Sequence, residues 1–157
     1  MVKKFIDRIV VEVYMETKIC DLGRVNDNEL KFAVIVSKFN GKFVYVRHKE
    51  RETWEIPGGH RELGEDINDT AARELNEETG AVKFEIKPIC DYLCDYSLEK
   101  ENNNKSYGRV YYAEINELGK LPNLEIGEVQ LFEHMPENLT YPQIQPVLLN
   151  EVVMRRK

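Results

Sequence analysis

Residues Ile56–Val82 read IPGGHRELGEDINDTAARELNEETGAV, joining a double glycine, a loop and a stretch loaded with carboxylates. Asp66 and Asn68 are N-cap residue types, Ile67, Ala71, Ala72 and Leu75 recur at helical spacing, and Gly80 supplies a C-terminal stop. These signals predict a helix over about Asn68–Thr79. At about 100° per residue, Glu74, Glu77 and Glu78 fall within one arc, displaced from the apolar face of Ala71 and Leu75. Like charges so placed destabilise a bare helix by about 0.2–0.5 kcal/mol per i,i+4 pair, and Glu77 and Glu78 also sit at the negative end of the helix dipole. A divalent cation reverses that sign.

Carboxylate oxygens suit hard Mg²⁺ or Mn²⁺, which keep room in their shell for water and substrate phosphate. The glycines upstream let the backbone approach such an ion, offering a carbonyl of Gly58 or Gly59 as a further oxygen ligand. Arg73 has a local partner in Glu65, a pairing that ties the loop to the helix.

Gly59, Glu65, Arg73, Glu74, Leu75, Glu77, Glu78 and Gly80 match the fixed positions of the pattern GX5EX7REUXEEXGU, in which U is a bulky aliphatic residue. On these residues the chain resembles the Nudix hydrolases. The final U is Ala81 here, a departure that weakens packing and leaves the acidic positions intact.

The remaining sequence bounds the answer. A chain of 157 residues fits a single domain, 1–157, long enough to bury one core. The N-terminal apolar stretch is interrupted by Asp7, Arg8 and Glu12, and no run approaches membrane-spanning length, so a cytoplasmic protein with no membrane partner is expected. Cys20, Cys90 and Cys94 lack CxxC spacing and read as reduced thiols, the latter two on one face of a strand. A net charge of −6 argues against a nucleic-acid partner. It leaves a phosphorylated small molecule open, because a bound cation dominates the local field.

Along the chain, Ile9–Thr17 alternates as a strand and Cys20–Asn28 reads as a turn. Leu30–Phe39 is nearly continuous in apolar residues, as a doubly covered strand should be, and Asn40-Gly41 predicts a hairpin to Lys42–His48. Lys83–Ser97 and Ser106–Ile115 form two more strands around a polar turn at Glu99–Lys105, and Gly127–Glu133 a last short one. Ile144, Val147, Leu148, Val152 and Val153 make Pro142–Lys157 a closing helix. The expected class is α+β, a mixed β-sheet with helices on both faces. The resemblance, which covers the chain from about Leu30 to this helix, implies the Nudix α/β/α sandwich.

The resemblance also implies an activity: metal-assisted pyrophosphohydrolysis of a nucleoside diphosphate linked to another moiety, with Mg²⁺ or Mn²⁺ as cofactor. Glu74, Glu77 and Glu78 are then metal ligands, with Glu74 or Glu77 as base through bound water or an outside glutamate, Glu125 or Glu128, serving as base or further ligand, and Arg73 completes the catalytic group. Arg47, ending the strand before the motif, corresponds to an arginine that contacts nucleotide in MutT-like members, and Arg47, His48, Lys49 and Arg51 put positive charge nearby. Specificity must come from outside the motif. The segment LTYPQIQPV, Leu139–Val147, resembles the base-reading region of MutT-like nucleoside triphosphatases, which points to Gln143 and Gln145, with Ile56 and Trp54 as further candidates. The leading expectation is a (deoxy)nucleoside triphosphate pyrophosphohydrolase, monomer or homodimer. A dinucleoside polyphosphate hydrolase, supported by Tyr96, and a non-catalytic nucleotide-binding module are the alternatives.

Overall fold

The computed structural model describes the backbone of residues 2–6, 9–97 and 105–156, and side chains within 16–95 and 105–156. Eight strands are present among them: β1 (Val2–Ile6), β2 (Ile9–Cys20), β3 (Leu30–Phe39), β4 (Lys42–His48), β5 (Gly58–His60), β6 (Ala81–Ser97), β7 (Lys105–Leu118) and β8 (Ile126–Phe132). Two α-helices accompany them, α1 (Ile67–Thr79) and α2 (Gln145–Arg155), with a short 3-10 turn at Asp27–Glu29. The sheet runs β1-β2-β6-β7-β3-β4-β8, with β5 added to β3. Only the central β3·β7 pairing is parallel among these, so the sheet is mixed as expected.

The continuous apolar run of β3 is explained by its position. Ala33 and Ile35 face one core cluster with Ile67, Ala71 and Leu75 of α1, while Val34 and Val36 face a second with Leu148, Leu149 and Val152 of α2. A strand covered on both faces cannot alternate with polar residues. β7 divides in the same way, Tyr111 and Ala113 to the α1 side, Val110 and Tyr112 to the α2 side. Cys90 and Cys94 share the α2 side, as their spacing predicts, and all three cysteines are free thiols.

Asn40 and Gly41 both have positive φ, 53° and 78°, the conformation of a tight two-residue hairpin turn whose twist matches the strands. Beyond the turn, β3 and β4 pair only through Lys38↔Phe43 and Phe39↔Lys42 and then diverge. The segment after β4 fills the fork. Glu55 exchanges backbone bonds with Val46, Pro57 O accepts from Ile35 N at 2.8 Å, and β5 completes the transfer to β3. The metal-type motif thus enters the sheet where two neighbouring strands part.

Two features differ from the sequence reading, and a third lies beyond what the structure describes. β1 adds a strand before Ile9, pairing with β2 through Ile6↔Ile9. α2 begins at Gln145 rather than Pro142, because Tyr141–Ile144 makes a turn in which the Tyr141 carbonyl accepts from both Ile144 N and Gln145 N. The turn anticipated at Glu99–Lys105 and the Tyr96 side chain lie outside the described residues, Lys105 excepted. No helix among the described residues is long and apolar enough to cross a membrane.

Candidate active site

α1 starts on Asp66, whose carboxylate accepts from Asn68 N at 2.8 Å, and stops on Gly80 in the left-handed conformation. Its acidic side is organised by Arg73. The guanidinium grips Glu65 with two bonds, Nε to Oε2 at 2.7 Å and Nη2 to Oε1 at 2.9 Å. Nη1 donates to Glu74 at 2.9 Å and Glu77 at 3.2 Å, and Nη2 also reaches the His60 carbonyl at 3.1 Å. Arg73, with Thr70 as a second donor at 2.6 Å, holds the Glu65 carboxyl down to about 2. The expected Arg73–Glu65 pair is present, and Arg73 acts by orienting glutamates.

Glu78 has the opposite environment. It is 6% exposed, its carboxylate accepts from Gly58 N at 2.9 Å, and burial pushes its pKa up to about 8. The Gly58 bond opposes that rise, while Glu74, Glu55 and Glu125 add to it. Burial likewise raises Glu74, with Arg73 pulling the other way.

The two glycines serve close packing. A Cβ on Gly58 would lie 2.4 Å from the Ala33 carbonyl oxygen of β3, and one on Gly59 would lie 2.3 Å from the Glu74 carboxyl carbon. Any side chain here would push β5 off β3 or displace Glu74.

The glutamates open into a cleft of about 740 Å³. Gly58, Gly59, Arg73, Glu74, Glu77 and Glu78 line it beside His48, Arg51, Glu55 and Glu125. An apolar wall of Val34, Ile56, Tyr92, Cys94, Ile144 and Leu148 completes it, so the cleft draws on both helical layers.

Four expected residues are placed differently. Arg47 donates to Glu128 through Nε and Nη2 at 3.3 and 3.2 Å and to the Arg51 carbonyl at 2.8 Å, and neither Arg47 nor Glu128 lines the cleft. The cause is a bulge in the β4·β8 ladder: Arg47 pairs with Glu128 but His48 pairs with Ile126. The extra residue, Gly127, lets β8 pass close to Lys49 and brings Glu125, not Glu128, to His48. Gln143 also lies outside the cleft lining. Gln145 lines it, but its amide is engaged by the backbone of Ile56, with Oε1 accepting from Ile56 N at 2.8 Å and Nε2 donating to Ile56 O at 3.5 Å. Of the basic cluster, His48 and Arg51 reach the cleft, while Lys49 bonds Asn123 at 2.6 Å. Trp54 packs edge-on against Phe132.

The donor set fits a divalent cation. Ligand atoms of His48, Glu78 and Glu125 lie within 4.8 Å of one another, and Glu78, its pKa raised first by burial and then by neighbouring carboxylates, would be stabilised in its charged form by a cation there. The sequence placed His48 only within the basic cluster before the motif, because nothing in its spacing from Glu78 or Glu125 marks the three as neighbours. Tyr141, beside Arg51, was missed for the same reason.

Comparison with known proteins gives concordant findings. The NUDIX domain model matches residues 27–148. The chain is 35% identical over 112 residues to a putative 8-oxo-dGTP diphosphatase, YtkD, of Bacillus subtilis, covering 70% of this chain and 66% of that protein. It is 30% identical over 121 residues to a probable DHNTP pyrophosphohydrolase of Lactococcus lactis, covering 73% and 72%. The chain thus spans about two thirds of the length of these relatives. Its fold resembles the crystal structure of the Bacillus subtilis pyrophosphohydrolase BsRppH, with TM-score 0.69 and 24% identity over 98% of this chain and 97% of that one.

Proposed function

The chain belongs to the Nudix family of hydrolases, which act on phosphoric anhydride bonds, and on that premise we propose that this member is a divalent-cation-dependent pyrophosphohydrolase of (deoxy)nucleoside triphosphates. The observation that carries this reading is the shape of the cleft. Carboxylates from α1 and an apolar, Tyr92-containing wall from the α2 side line one continuous space, sized for a ligand with a charged tail and a flat apolar head. The name borne by the B. subtilis relative, a putative 8-oxo-dGTP diphosphatase, agrees with a nucleoside triphosphate, and that of the L. lactis relative with pyrophosphohydrolysis.

Each part of the chain has a task in this scheme. Arg73 fixes Glu74 and Glu77 toward the cleft, and Gly58 fixes Glu78. A bound Mg²⁺ or Mn²⁺ supplies polarised phosphoryl oxygens and a water of lowered pKa. Glu74, Glu77 and Glu78 would hold the cation, the carbonyls of Gly58 and Gly59 adding oxygens beside them, and Glu125, outside the helix, would serve as a further ligand or as proton acceptor. Arg51, at the cleft wall beside Glu55 and Tyr141, offers positive charge to the phosphate chain. Gln145 holds Ile56 in place, so that recognition of the base falls to the wall itself.

A panel of purine and pyrimidine triphosphates, dinucleoside polyphosphates, nucleotide sugars and a 5′-triphosphorylated oligonucleotide, assayed with Mg²⁺ and with Mn²⁺, tests the proposal. The expected products are nucleoside monophosphate and pyrophosphate from a triphosphate. Preference for a dinucleoside polyphosphate or the oligonucleotide, or no turnover of any substrate, would overturn it.

A further inference from the structure

His48 closes β4 at the point where the bulge brings Glu125 alongside, and it faces carboxylates from three directions. Its Nε2 is 3.6 Å from Glu125 and 3.7 Å from Glu55, and it belongs with Glu78 and Glu125 to the group whose ligand atoms lie within 4.8 Å. A cation with bonds of about 2.1 Å spaces opposite ligands about 4.2 Å apart, so a small contraction lets the three share one ion. These donors come from separate elements, β4, α1 and the residue before β8. The backbone bond from Lys49 N to Glu125 O at 3.0 Å fixes two of them relative to each other.

We propose that His48 supplies an imidazole nitrogen to the divalent cation held by Glu78 and Glu125, and that this nitrogen makes the site select a transition ion over Mg²⁺. The inference rests on the metal-dependent reading above and adds to it a ligand outside the acidic motif and a metal preference. An all-oxygen shell suits Mg²⁺, whereas imidazole is a poor ligand for that ion and a good one for first-row transition ions. One imidazole among these carboxylates gives a mixed set in which the nitrogen decides between metals. Glu55, 7% exposed and bonded to Arg51, faces the same Nε2 at 3.7 Å and adds a further carboxylate beside that nitrogen.

Mn²⁺ is the probe, because its binding is read by paramagnetic resonance without turnover. Pulsed spectra of the Mn²⁺-loaded wild-type protein should show nitrogen modulation that vanishes in His48→Gln, and calorimetry should show Mn²⁺ affinity falling by about 10–100-fold while Mg²⁺ affinity changes by less than about threefold. Glu125→Gln should weaken both ions. Mn²⁺ bound by the wild-type protein without nitrogen modulation, or equal loss of both ions in His48→Gln, would overturn the role of His48 and leave the metal site standing. Absence of binding by either ion would overturn the metal-dependent reading as well. The wild-type spectrum stands without any variant, so a misfolded His48→Gln would not rescue the idea.

Discussion

Glu65 and Glu78 belong to the same acidic motif and have opposite fates. Glu65 is gripped by a guanidinium and a hydroxyl, and its carboxyl is held down to about 2. Glu78 is buried among other carboxylates with a backbone N–H for company, and its carboxyl is pushed up to about 8. One end of the motif spends its charge on holding the loop to α1, and the other keeps an electrostatic debt that a cation can discharge. Stability and ligand readiness are therefore assigned to different glutamates of one sequence pattern.

Removing the uncompensated charge should have the largest effect on activity. Glu78→Gln, and likewise Glu77→Gln, should lower turnover by about a hundredfold or more with circular dichroism unchanged. Glu78→Gln should also raise the melting temperature of the metal-free protein, since folding no longer has to bury or protonate a carboxylate. Undiminished activity in both variants would erase the division.

Arg73→Ala attacks the compensated end and, through Glu74 and Glu77, the other end too. Loss of its charged hydrogen bonds should cost about 1.5–3 kcal/mol in denaturant unfolding. Activity should fall as well, and a variant that lost activity at unchanged stability would show that Arg73 does not brace the loop.

The two carboxyls also predict opposite responses to pH. Glu78 is raised from 4.5, so protonation favours the folded state, and its contribution is present at acid pH and disappears as pH rises through about 8. Glu65 is lowered from 4.5, so its contribution is present above that value and is lost as pH falls toward about 2. Melting temperatures measured in chelator should therefore decline between about pH 5 and 8, less steeply in Glu78→Gln, while Glu65→Gln should blunt the acid limb. A metal-free protein with a flat profile from pH 5 to 8 would contradict the environment assigned to Glu78.

The smallest effect is expected at the far wall. Gln145→Ala removes a clasp on the Ile56 backbone, costing about 1 kcal/mol and slowing all nucleotides in similar proportion. A selective loss for one base in a purine and pyrimidine panel would instead make Gln145 a reader of the base edge.

The chain's periodicities carry most of its architecture. The double covering of β3, the Asn40-Gly41 hairpin and both caps of α1 follow from local signals that tertiary structure had no reason to override. Local signals say nothing, by contrast, about which residues become neighbours across the sheet. The displacement of Glu128 by Glu125 depends on one bulge at Gly127, and a one-residue change of register exchanges the faces of a strand. The buried Asp91–Arg109 pair, joined at 2.6 Å across β6 and β7 with Gly23 N also on Asp91, was equally invisible as two charges in unrelated segments. The clasp of Gln145 on Ile56 is of the same kind. Glu65 and Arg73 lay within one loop and helix, and so their pairing could be read directly.

The parallel β3·β7 pair has a consequence for how the molecule comes into being. Its two strands are separated in the chain by the hairpin, α1 and β6, so the middle of the sheet must wait for a long loop to close before contact rewards the lost entropy. Val34 and Val110 pair across that junction, and Val110→Ala should slow refolding followed by the single tryptophan, Trp54, more than it speeds unfolding. A nascent chain ending before β7 would hold every carboxylate of the acidic motif with no sheet centre to gather them around.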